Sequence, residues 1–221
     1  MAIVLAAGSG LPTHRGKANA ASGSAWQDIP SSMTARLITP RRFADDRGWF
    51  CETFHAARYA ELGIAVAFCQ DNQSMSYRRG TLRGLHFQRE PHAQAKLVRC
   101  VSGRVFDVVV DVRRDSPTFG QWAGAELTSA VGEQMFVPAG YAHGFLTLED
   151  ECEVGYKVDS FYAPDSEGGI AWDDPQLAID WPLDPGERPL LSAKDSRLPT
   201  LAAAEVRFAY DGAPLRALSA A

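Results

Sequence analysis

Two histidines lie in short runs of sequence that are otherwise apolar and strand-like. His86 stands in LRGLHFQ (residues 82–88), and His143 stands in AGYAHGF (residues 139–145). Histidine has an unperturbed pKa of about 6.5, so it can accept and return protons near neutral pH. A single histidine in such a strand is about as often a core residue, with its ring bonded to a backbone carbonyl, as it is a functional residue. Two in similar settings, each near a glycine, make a purely structural role for both less favoured.

The sequence from Ala35 onward predicts the β-strands that would position these histidines. In residues 106–112, apolar residues at the even positions alternate with Asp107, Val109 and Asp111, a period of two that is typical of a strand with one face more buried. A Ser-Gly break at 102–103 predicts a hairpin before this strand. Further short apolar runs follow at roughly ten-residue spacing, which is typical of an all-β sandwich or jelly roll.

Other segments differ from this β pattern. Residues 1–32 are rich in Ala, Gly and Ser and show no apolar period, so we expect a flexible N-terminal extension followed by one domain over residues 33–221. A helical pattern is confined to residues 52–63 and to the tail from about residue 193. The domain is therefore expected to carry a short early helix and a partly helical C-terminus.

The composition narrows the classes of function. The chain of 221 residues has a net charge of −5 and no basic stripe, which argues against nucleic acid as a partner. Its four cysteines are widely spaced and include no CxxC pair, as expected in a reducing compartment. No apolar run approaches the roughly 20 residues that span a bilayer, and the opening residues lack the basic region of a secretory signal. We therefore expect a cytoplasmic protein that binds neither nucleic acid nor a membrane.

A pattern of glycine and proline precedes His143. The spacing of Gly132, Pro138, Gly140 and His143 is similar to the second motif of the cupin superfamily, whose fold is a double-stranded β-helix or jelly roll. The resemblance implies that Pro138 and Gly140 form a tight turn, which delivers His143 to the interior of the barrel.

The histidine spacing does not complete a metal site. Metal-binding cupins supply a His-x-His pair and a glutamate from their first motif, whereas the corresponding region here, GLHFQREPHAQAKLV, has His86 and His92 six residues apart. A metal site needs three or more converging ligands. We expect neither a metal nor another cofactor, and a metal-dependent cupin oxygenase or isomerase is a rival hypothesis.

Seven segments in collinear order carry a closer resemblance. They are ADDRGWFCETF, CQDNQS, GTLRGLHFQ, AQAKLVRCVSGRVFDVVVDVRRDSPTFGQW, VPAGYAHGF, YKVDSFYAPDSEGGIAWDDP and LLSAKD, from about residue 36 to 200. Together they resemble the dTDP-4-dehydrorhamnose 3,5-epimerase family. The resemblance implies an all-β, cupin-like jelly roll with short peripheral helices, acting as a metal-free homodimer in dTDP-rhamnose biosynthesis. The implied reaction inverts carbons 3 and 5 of dTDP-4-dehydro-6-deoxy-D-glucose, a dTDP-4-keto-6-deoxy sugar, through enolates.

The resemblance assigns catalytic roles that suit this chemistry. A proton next to a ketone is weakly acidic, so its removal needs a base poised near neutral pH and a group that stabilises the oxyanion. By resemblance, His86 is the base, and Asp195 is the carboxylate partner that fixes its tautomer. Lys96 would take up the enolate charge, and Tyr156 would return a proton from the opposite face of the sugar.

The same resemblance assigns residues that bind the sugar nucleotide. Arg83 would clamp the diphosphate, because its planar guanidinium matches two phosphate oxygens. Arg47, Phe50 and Glu52 would reach the nucleotide from the neighbouring subunit, with Phe50 stacked on the base. The full predicted binding set is Arg47, Phe50, Glu52, Gln70, Asn72, Arg83, His143 and Phe161. Strict strand alternation puts Arg83 and His86 on opposite faces, so we expect a bulge at Gly84.

Two residues depart from the family pattern. Phe161 stands where a tyrosine is frequent, and Met75 stands where a basic residue is common. Neither is the predicted base, enolate stabiliser or acid, but a missing hydroxyl beside the sugar bears on whether both carbons are inverted. The alternative functions are a single-site epimerase of a related dTDP-4-keto sugar and a noncatalytic jelly roll that binds sugar nucleotides.

Overall fold

Short strands account for most of the regular structure in the computed structural model, which describes residues 3–4 and 33–218. The strands are β1 (Ile3–Val4), β2 (Arg36–Ile38), β3 (Arg42–Asp45), β4 (Gly48–Cys51), β5 (Gln70–Ser76), β6 (Leu82–Gln88), β7 (Lys96–Ser102), β8 (Arg104–Asp111), β9 (Arg113–Arg114), β10 (Trp122–Thr128), β11 (Gln134–Val137), β12 (Tyr141–Thr147), β13 (Cys152–Val158), β14 (Glu167–Gly169) and β15 (Phe208–Ala209). The helices of the described residues are α1 (Ala56–Glu61) and two 3-10 turns, Pro164–Ser166 and Asp195–Arg197. Apart from β1, the predicted flexible extension over residues 1–32 lies outside the described residues.

The strands form two main sheets. The six-stranded sheet has the order β1-β10-β8-β12-β6-β14, and the five-stranded sheet has the order β2-β11-β7-β13-β5. Neighbours in both sheets are antiparallel except β1 and β10. The predicted all-β, cupin-like jelly roll is confirmed. Across the described residues, no helix is long and apolar enough to cross a membrane.

The Ser-Gly break between β7 and β8 is not a hairpin. These consecutive strands belong to different sheets, so the predicted hairpin at 102–103 is wrong. Gly103 has a φ of +81°, and a Cβ atom there would lie 2.6 Å from the Cys152 sulfur. Glycine therefore lets the chain turn sharply against its neighbour and cross from one sheet to the other.

Strand β8 is buried on both faces, contrary to the prediction of one more buried face. Val105 and Val109 pack between the sheets in a cluster with Met135. On the other face, Phe106 packs against Trp181, with ring centroids 6.1 Å apart. The chain after β14 supplies that second layer, because it folds back over the outside of the six-stranded sheet. The alternation of apolar and polar residues shows that the two faces of a strand differ, but it does not show what packs against each face.

A buried arginine ties the C-terminal tail to the barrel. The Arg113 side chain donates to Asp111 at 2.9 Å and 2.7 Å, to Asp211 at 2.6 Å and to the backbone oxygen of Ala213 at 2.8 Å. The Asp211 carboxylate also accepts from the backbone nitrogen of Met33 at 3.0 Å. Both ends of the described domain therefore meet at one ion-pair network.

The tail was predicted to be partly helical, and that prediction is wrong. Beyond the 3-10 turn Asp195–Arg197, the described tail contains only the short strand β15, which pairs in parallel with β9. Its backbone groups bond partly to one another in isolated turns, as where the Ala203 nitrogen donates to the Thr200 oxygen at 3.0 Å, and partly to earlier segments of the chain. Leu201, for example, donates from its backbone nitrogen to the Asp174 carboxylate at 2.8 Å. Such partners satisfy the chain without a helix.

The predicted early helix is confirmed as α1. It buries Tyr59, which packs with Ile64 and Leu97 in an apolar cluster beside the five-stranded sheet. The Tyr59 hydroxyl donates to the Gln134 side chain at 2.8 Å. This packing covers part of the outer face of the five-stranded sheet and fixes the chain that leads from β4 to β5.

The predicted bulge at Gly84 is confirmed. In the pairing of β6 with β12, His86 lies opposite His143 and Arg83 lies opposite Phe145, so two residues of β6 face one residue of β12. Gly84 has a φ of +131°, and a Cβ atom there would lie 2.6 Å from the Cα atom of Gly144. The extra residue removes the alternation conflict and lets Arg83 and His86 line the same cavity.

We predict that Gly84→Ala lowers the free energy of unfolding by about 3 kcal/mol or more, because backbone strain and steric overlap add there. Gly48→Ala is the matched control, since Gly48 has a similar φ of +136° but a Cβ atom there would have no neighbouring atom within 4 Å. That variant should lose only the strain contribution, about 1 kcal/mol. Urea unfolding of both variants measures the difference, and equal losses would contradict the overlap argument.

Candidate active site

A cavity of about 570 Å³ lies between the two sheets. The six-stranded sheet contributes His86 from β6 and His143 from β12, and the five-stranded sheet contributes Lys96 from β7 and Tyr156 from β13. Asp195 closes the wall from the 3-10 turn of the tail. The structure therefore brings together all four residues predicted to be catalytic, together with His143. Side chains of opposite sheets face one another across this space.

A second chamber of about 330 Å³ adjoins the first. It shares His86, Lys96 and Tyr156 with the larger cavity and adds the predicted binding residues Gln70 and Asn72. The Gln70 amide donates to the Asn72 side-chain oxygen at 2.8 Å, which orients both amides. The candidate site is therefore an elongated space with the titratable groups where the two chambers meet.

His86 and Asp195 form a hydrogen-bonded pair. The His86 Nε2 atom lies 2.7 Å from Asp195 Oδ1, and the carboxylate is buried while the imidazole is partly open to the cavity. Burial of Asp195 works against its ionisation, but the hydrogen bonds to His86 and Ser192 outweigh it and hold the pKa of Asp195 below its ordinary value. Asp195 therefore stays a carboxylate, which orients the ring and stabilises an imidazolium.

A second histidine–carboxylate pair involves Asp107, which the sequence analysis did not assign to the site. The His143 Nε2 atom lies 3.0 Å and 2.9 Å from the two carboxylate oxygens of Asp107, and both residues are buried. An acidic residue inside the apolar strand β8, on the face that carries Val109, was the available signal. Buried carboxylates need such partners, so Asp107 marks the interior of the site.

The Lys96 side chain gives up its proton more readily than an ordinary lysine. Burial lowers the pKa of Lys96 from its ordinary value of 10.5 to about 8, with nearby Lys194 acting in the same direction. Asp107 and Glu167 oppose this effect through their negative charge. At neutral pH the Lys96 amine still carries its extra proton, and the resulting ammonium can stabilise negative charge that develops in the cavity.

Tyr156 faces the same space from the opposite sheet. Burial raises the pKa of the Tyr156 hydroxyl above its ordinary value, although the positive charge of Arg83 partly opposes this. The hydroxyl therefore carries its proton at neutral pH and can donate it. Arg83 is itself held by strand β5, because its guanidinium donates to the Ser76 hydroxyl at 3.1 Å and to the Met75 backbone oxygen at 2.8 Å.

Three further polar residues of the site were not assigned from the sequence. Glu167 lines both chambers, accepts from the Tyr162 hydroxyl at 3.0 Å and pairs with Lys194. Glu167 and Tyr162 belong to the segment YAPDSEGG, and Lys194 precedes the predicted Asp195. Only their place in the collinear segments pointed to these three residues. Their residue types did not, because polar residues in turn-rich sequence are usually solvated.

Four predicted binding residues lie outside both chambers of the described chain. Arg47 and Phe50 lie on the β3–β4 hairpin, where Arg47 pairs with Asp45. Glu52 follows this hairpin and pairs with Arg58. Phe161 is 67% exposed and lines neither chamber, whereas the adjacent Tyr162 lines the smaller one.

The cavity also contains no obvious metal site. Among residues 33–218, no group of three or more His, Cys, Asp or Glu side chains is arranged to hold a metal ion. The two histidines of the cavity are each bonded to a separate carboxylate. The arrangement supports proton transfer and the stabilisation of an oxyanion by a positive charge.

Comparison with known proteins identifies the family. The sequence model of the family described as dTDP-4-dehydrorhamnose 3,5-epimerase matches residues 33–203. The chain belongs to the dTDP-4-dehydrorhamnose 3,5-epimerase family. Members of this family are isomerases. A relative named dTDP-4-dehydrorhamnose 3,5-epimerase, from Methanothermobacter thermautotrophicus, is 50% identical over 161 residues, which cover 73% of this chain and 86% of the relative.

Solved structures of the epimerase family share the fold. The enzyme from Bacillus anthracis, with TDP and PPi bound, has a TM-score of 0.73 at 48% identity, covering 75% of this chain and 93% of that one. The enzyme from Legionella pneumophila, in complex with dTDP-4-keto-L-rhamnose, has a TM-score of 0.72 at 48% identity, covering 76% and 88%. ChmJ from Streptomyces bikiniensis, a 3'-monoepimerase in complex with dTDP-quinovose, has a TM-score of 0.72 at 37% identity, covering 78% and 86%.

We predict that Lys96→Met raises the free energy of unfolding at pH 7, on the order of 1–3 kcal/mol, because a half-buried charge that the fold disfavours is removed. The folded pKa of about 8 lies below the ordinary value of 10.5, so the unfolded chain binds this proton more tightly. The parent therefore gains stability as pH rises above about 8, and the advantage of the variant shrinks there.

Urea unfolding at about pH 7 and pH 10 tests this sign. Lys157→Met is the control, because Lys157 lies on the same sheet but pairs with Asp71 at the surface. Its effect should stay within about 1 kcal/mol. A Lys96→Met variant that is no more stable than the parent at pH 7 would contradict the burial argument.

Proposed function

We propose that this protein inverts carbons 3 and 5 of dTDP-4-dehydro-6-deoxy-D-glucose, giving dTDP-4-dehydro-L-rhamnose for dTDP-rhamnose biosynthesis. One observation carries the proposal. His86, bonded to Asp195 of the tail, lies on one sheet, and Tyr156 lies across the same cavity on the other. Inversion needs a base on one face of the sugar and an acid on the other, because a single residue would return the proton to its original side.

The proposed reaction uses the charges of the site in order. His86 takes a proton from the carbon beside the ketone, and the electron pair moves onto the carbon-4 oxygen as an enolate. The Lys96 ammonium stabilises this oxyanion in a partly dehydrated cavity, where such a charge has a larger effect than in water. Tyr156 then protonates the carbon from the other face. Solvent removes the proton from His86 and restores Tyr156, so neither metal nor cofactor takes part.

The sugar nucleotide would occupy both chambers. Arg83, at the wall of the larger cavity, would bind the diphosphate. Gln70 and Asn72 would make polar contacts in the smaller chamber, and His143 would position the sugar. A dTDP-sugar ligand is supported by the relatives crystallised with TDP or a dTDP-sugar. The proposed setting is the cytoplasm, where such activated sugars are made.

A homodimer would complete the site. The β3–β4 hairpin exposes apolar rings to solvent, with Trp49 at 57% and Phe50 at 69% exposed. Large exposed rings on a projecting ribbon are typical of a contact surface. We propose that this hairpin enters the site of a second copy, where Phe50 stacks on the base and Arg47 and Glu52 contact the nucleotide.

A single-site epimerase of a related dTDP-4-keto sugar is the second candidate. It is favoured by the 3'-monoepimerase among the structural neighbours and by Phe161, which replaces a frequent tyrosine. We favour double inversion, since the base, enolate stabiliser and acid share one cavity. Incubation with dTDP-4-dehydro-6-deoxyglucose in D2O, with a stereospecific 4-ketoreductase as trap, separates the two by NMR. Accumulation of a sugar inverted at one carbon would favour the second candidate.

We predict that His86→Ala slows the incorporation of solvent deuterium by about 10²- to 10⁴-fold, the usual contribution of a general base. Asp195→Asn should also abolish most exchange, because an amide neither fixes the required tautomer nor stabilises the imidazolium. The control is His92→Ala, since the exposed His92 uses only its backbone in the described contacts. A near-parental exchange rate in His86→Ala would mean that another residue is the base.

We predict a different defect for Tyr156→Phe. The base and the enolate stabiliser remain, so deuterium should still enter beside the ketone. Net inversion should be largely lost, because the hydroxyl proposed to protonate the carbon from the face opposite His86 is gone. NMR of the product measures exchange and configuration separately. Inversion of both centres at the parental rate would show that the proton comes from another group.

A further inference from the structure

We propose that Arg42 is a positioning residue that fixes the direction of the β3–β4 hairpin, and thereby the affinity for the nucleotide. The inference rests on the proposed function, in which this hairpin carries Arg47 and Phe50 to the site of a second copy. Arg42 itself lies at the base of the hairpin, in β3, and lines neither chamber of the candidate site. Its role would be to hold the ribbon, and it would not touch the substrate.

Arg42 connects the hairpin to the barrel. Its guanidinium carbon lies 3.9 Å from the ring centroid of Trp49, on the facing strand of the hairpin. The same guanidinium donates to the backbone oxygens of Ser129 and Ala130, the first at 2.7 Å. One planar group therefore stacks on the hairpin and bonds to the loop between β10 and β11. Only arginine combines a flat stacking face with a fork of donors in this way.

The loop that receives Arg42 is itself well fixed. The Glu133 carboxylate accepts from the backbone nitrogen and the hydroxyl of Thr128 at 3.0 Å and 3.1 Å. Gly132 has a φ of +90°, and a Cβ atom there would lie 2.7 Å from Arg42 Nη2. Glycine at this point leaves the space that the guanidinium fills. The carbonyls that bind Arg42 thus belong to a loop that also has hydrogen bonds of its own.

The neighbouring Arg41 provides a contrast within the same chain. Its guanidinium carbon lies 4.6 Å from the ring centroid of Phe43, so it also stacks on the hairpin. Within the described residues, however, the side chain of Arg41 makes no hydrogen bond or ion pair to the barrel. Two adjacent arginines therefore share the aromatic contact, and Arg42 alone of the two adds the bonds that anchor it.

The test measures dTDP affinity by calorimetry and steady-state kinetics with the keto-sugar, using the full chain. We expect Arg42→Ala to raise both the Kd for dTDP and the KM about tenfold, with kcat at saturation within about twofold, because the catalytic groups stay in place. Arg42→Lys should be intermediate, since an ammonium can stack or bond but cannot do both. Arg41→Ala should leave Kd and KM within about twofold of the parent.

A double-mutant cycle with Trp49 tests whether the two side chains act together. Trp49→Leu should raise the KM about as much as Arg42→Ala, and the double variant should add little, because either change releases the hairpin. Additive effects would overturn the inference. So would a parental KM in Arg42→Ala, a fall in kcat with an unchanged KM, or an equal effect of Arg41→Ala.

Folding and oligomeric state are checked by thermal unfolding and light scattering. If Arg42→Ala does not fold, Arg42→Lys and Trp49→Leu decide by the same criteria, and a parental KM in both overturns the inference. Failure of the underlying function would differ, because the parent would then neither bind dTDP nor exchange deuterium into the sugar.

Discussion

The backbones of β6 and β12 approach so closely at Gly84 and Gly144 that neither residue has room for a Cβ atom. This contact is where β6 takes in its extra residue, and the bulge turns Arg83 and His86 toward one cavity. The pairing of His86 with Asp195 depends on that turn. The opposition of His86 and Tyr156 across the two sheets depends on it as well. A pair of glycines thus sets the geometry on which the chemistry relies.

The charges in and around the cavity differ in their effect on folding, because the lowered pKa of Asp195 means that the fold favours its charged form, whereas the lowered pKa of Lys96 means the opposite. Lys96 is buried enough for its pKa to fall to about 8. Asp107 and Asp195 are both buried carboxylates, and each has a histidine as a partner. An isolated charge in a protein interior has a large desolvation cost, and the attraction of partners with opposite charge offsets part of that cost. The hydrophobic packing of the surrounding jelly roll therefore has to offset the cost of holding Lys96 charged.

The barrel, the bulge and the four residues that share the cavity could be predicted from the sequence, because alternation, glycine positions and the collinear segments can be read directly along the chain. Asp107 and Glu167 could not be found in this way, since a single acidic residue in a strand or turn looks the same whether it faces solvent or a cavity. The predicted hairpin at 102–103 and the helical tail were wrong for a related reason. Which sheet a strand joins, and which barrel atoms a tail meets, depend on residues far away in the chain. The roles of all the site residues remain predictions, and Phe161 and the hairpin residues in addition lie outside both chambers of the described chain.

The Arg113 network has a consequence for the ends of the domain. Met33 at one end and Asp211 near the other are joined by a hydrogen bond, and Thr34 donates to the backbone oxygen of Pro214 at 3.1 Å. The two end segments of the domain therefore run side by side here, and the chain continues beyond Pro214 to Leu218, which packs in the core. Joining them with a short linker, and opening the chain at an exposed loop, would create a circular permutant with the same barrel. Segments fused to either end would likewise begin as close neighbours, which makes this point of the surface a natural place to attach a second module.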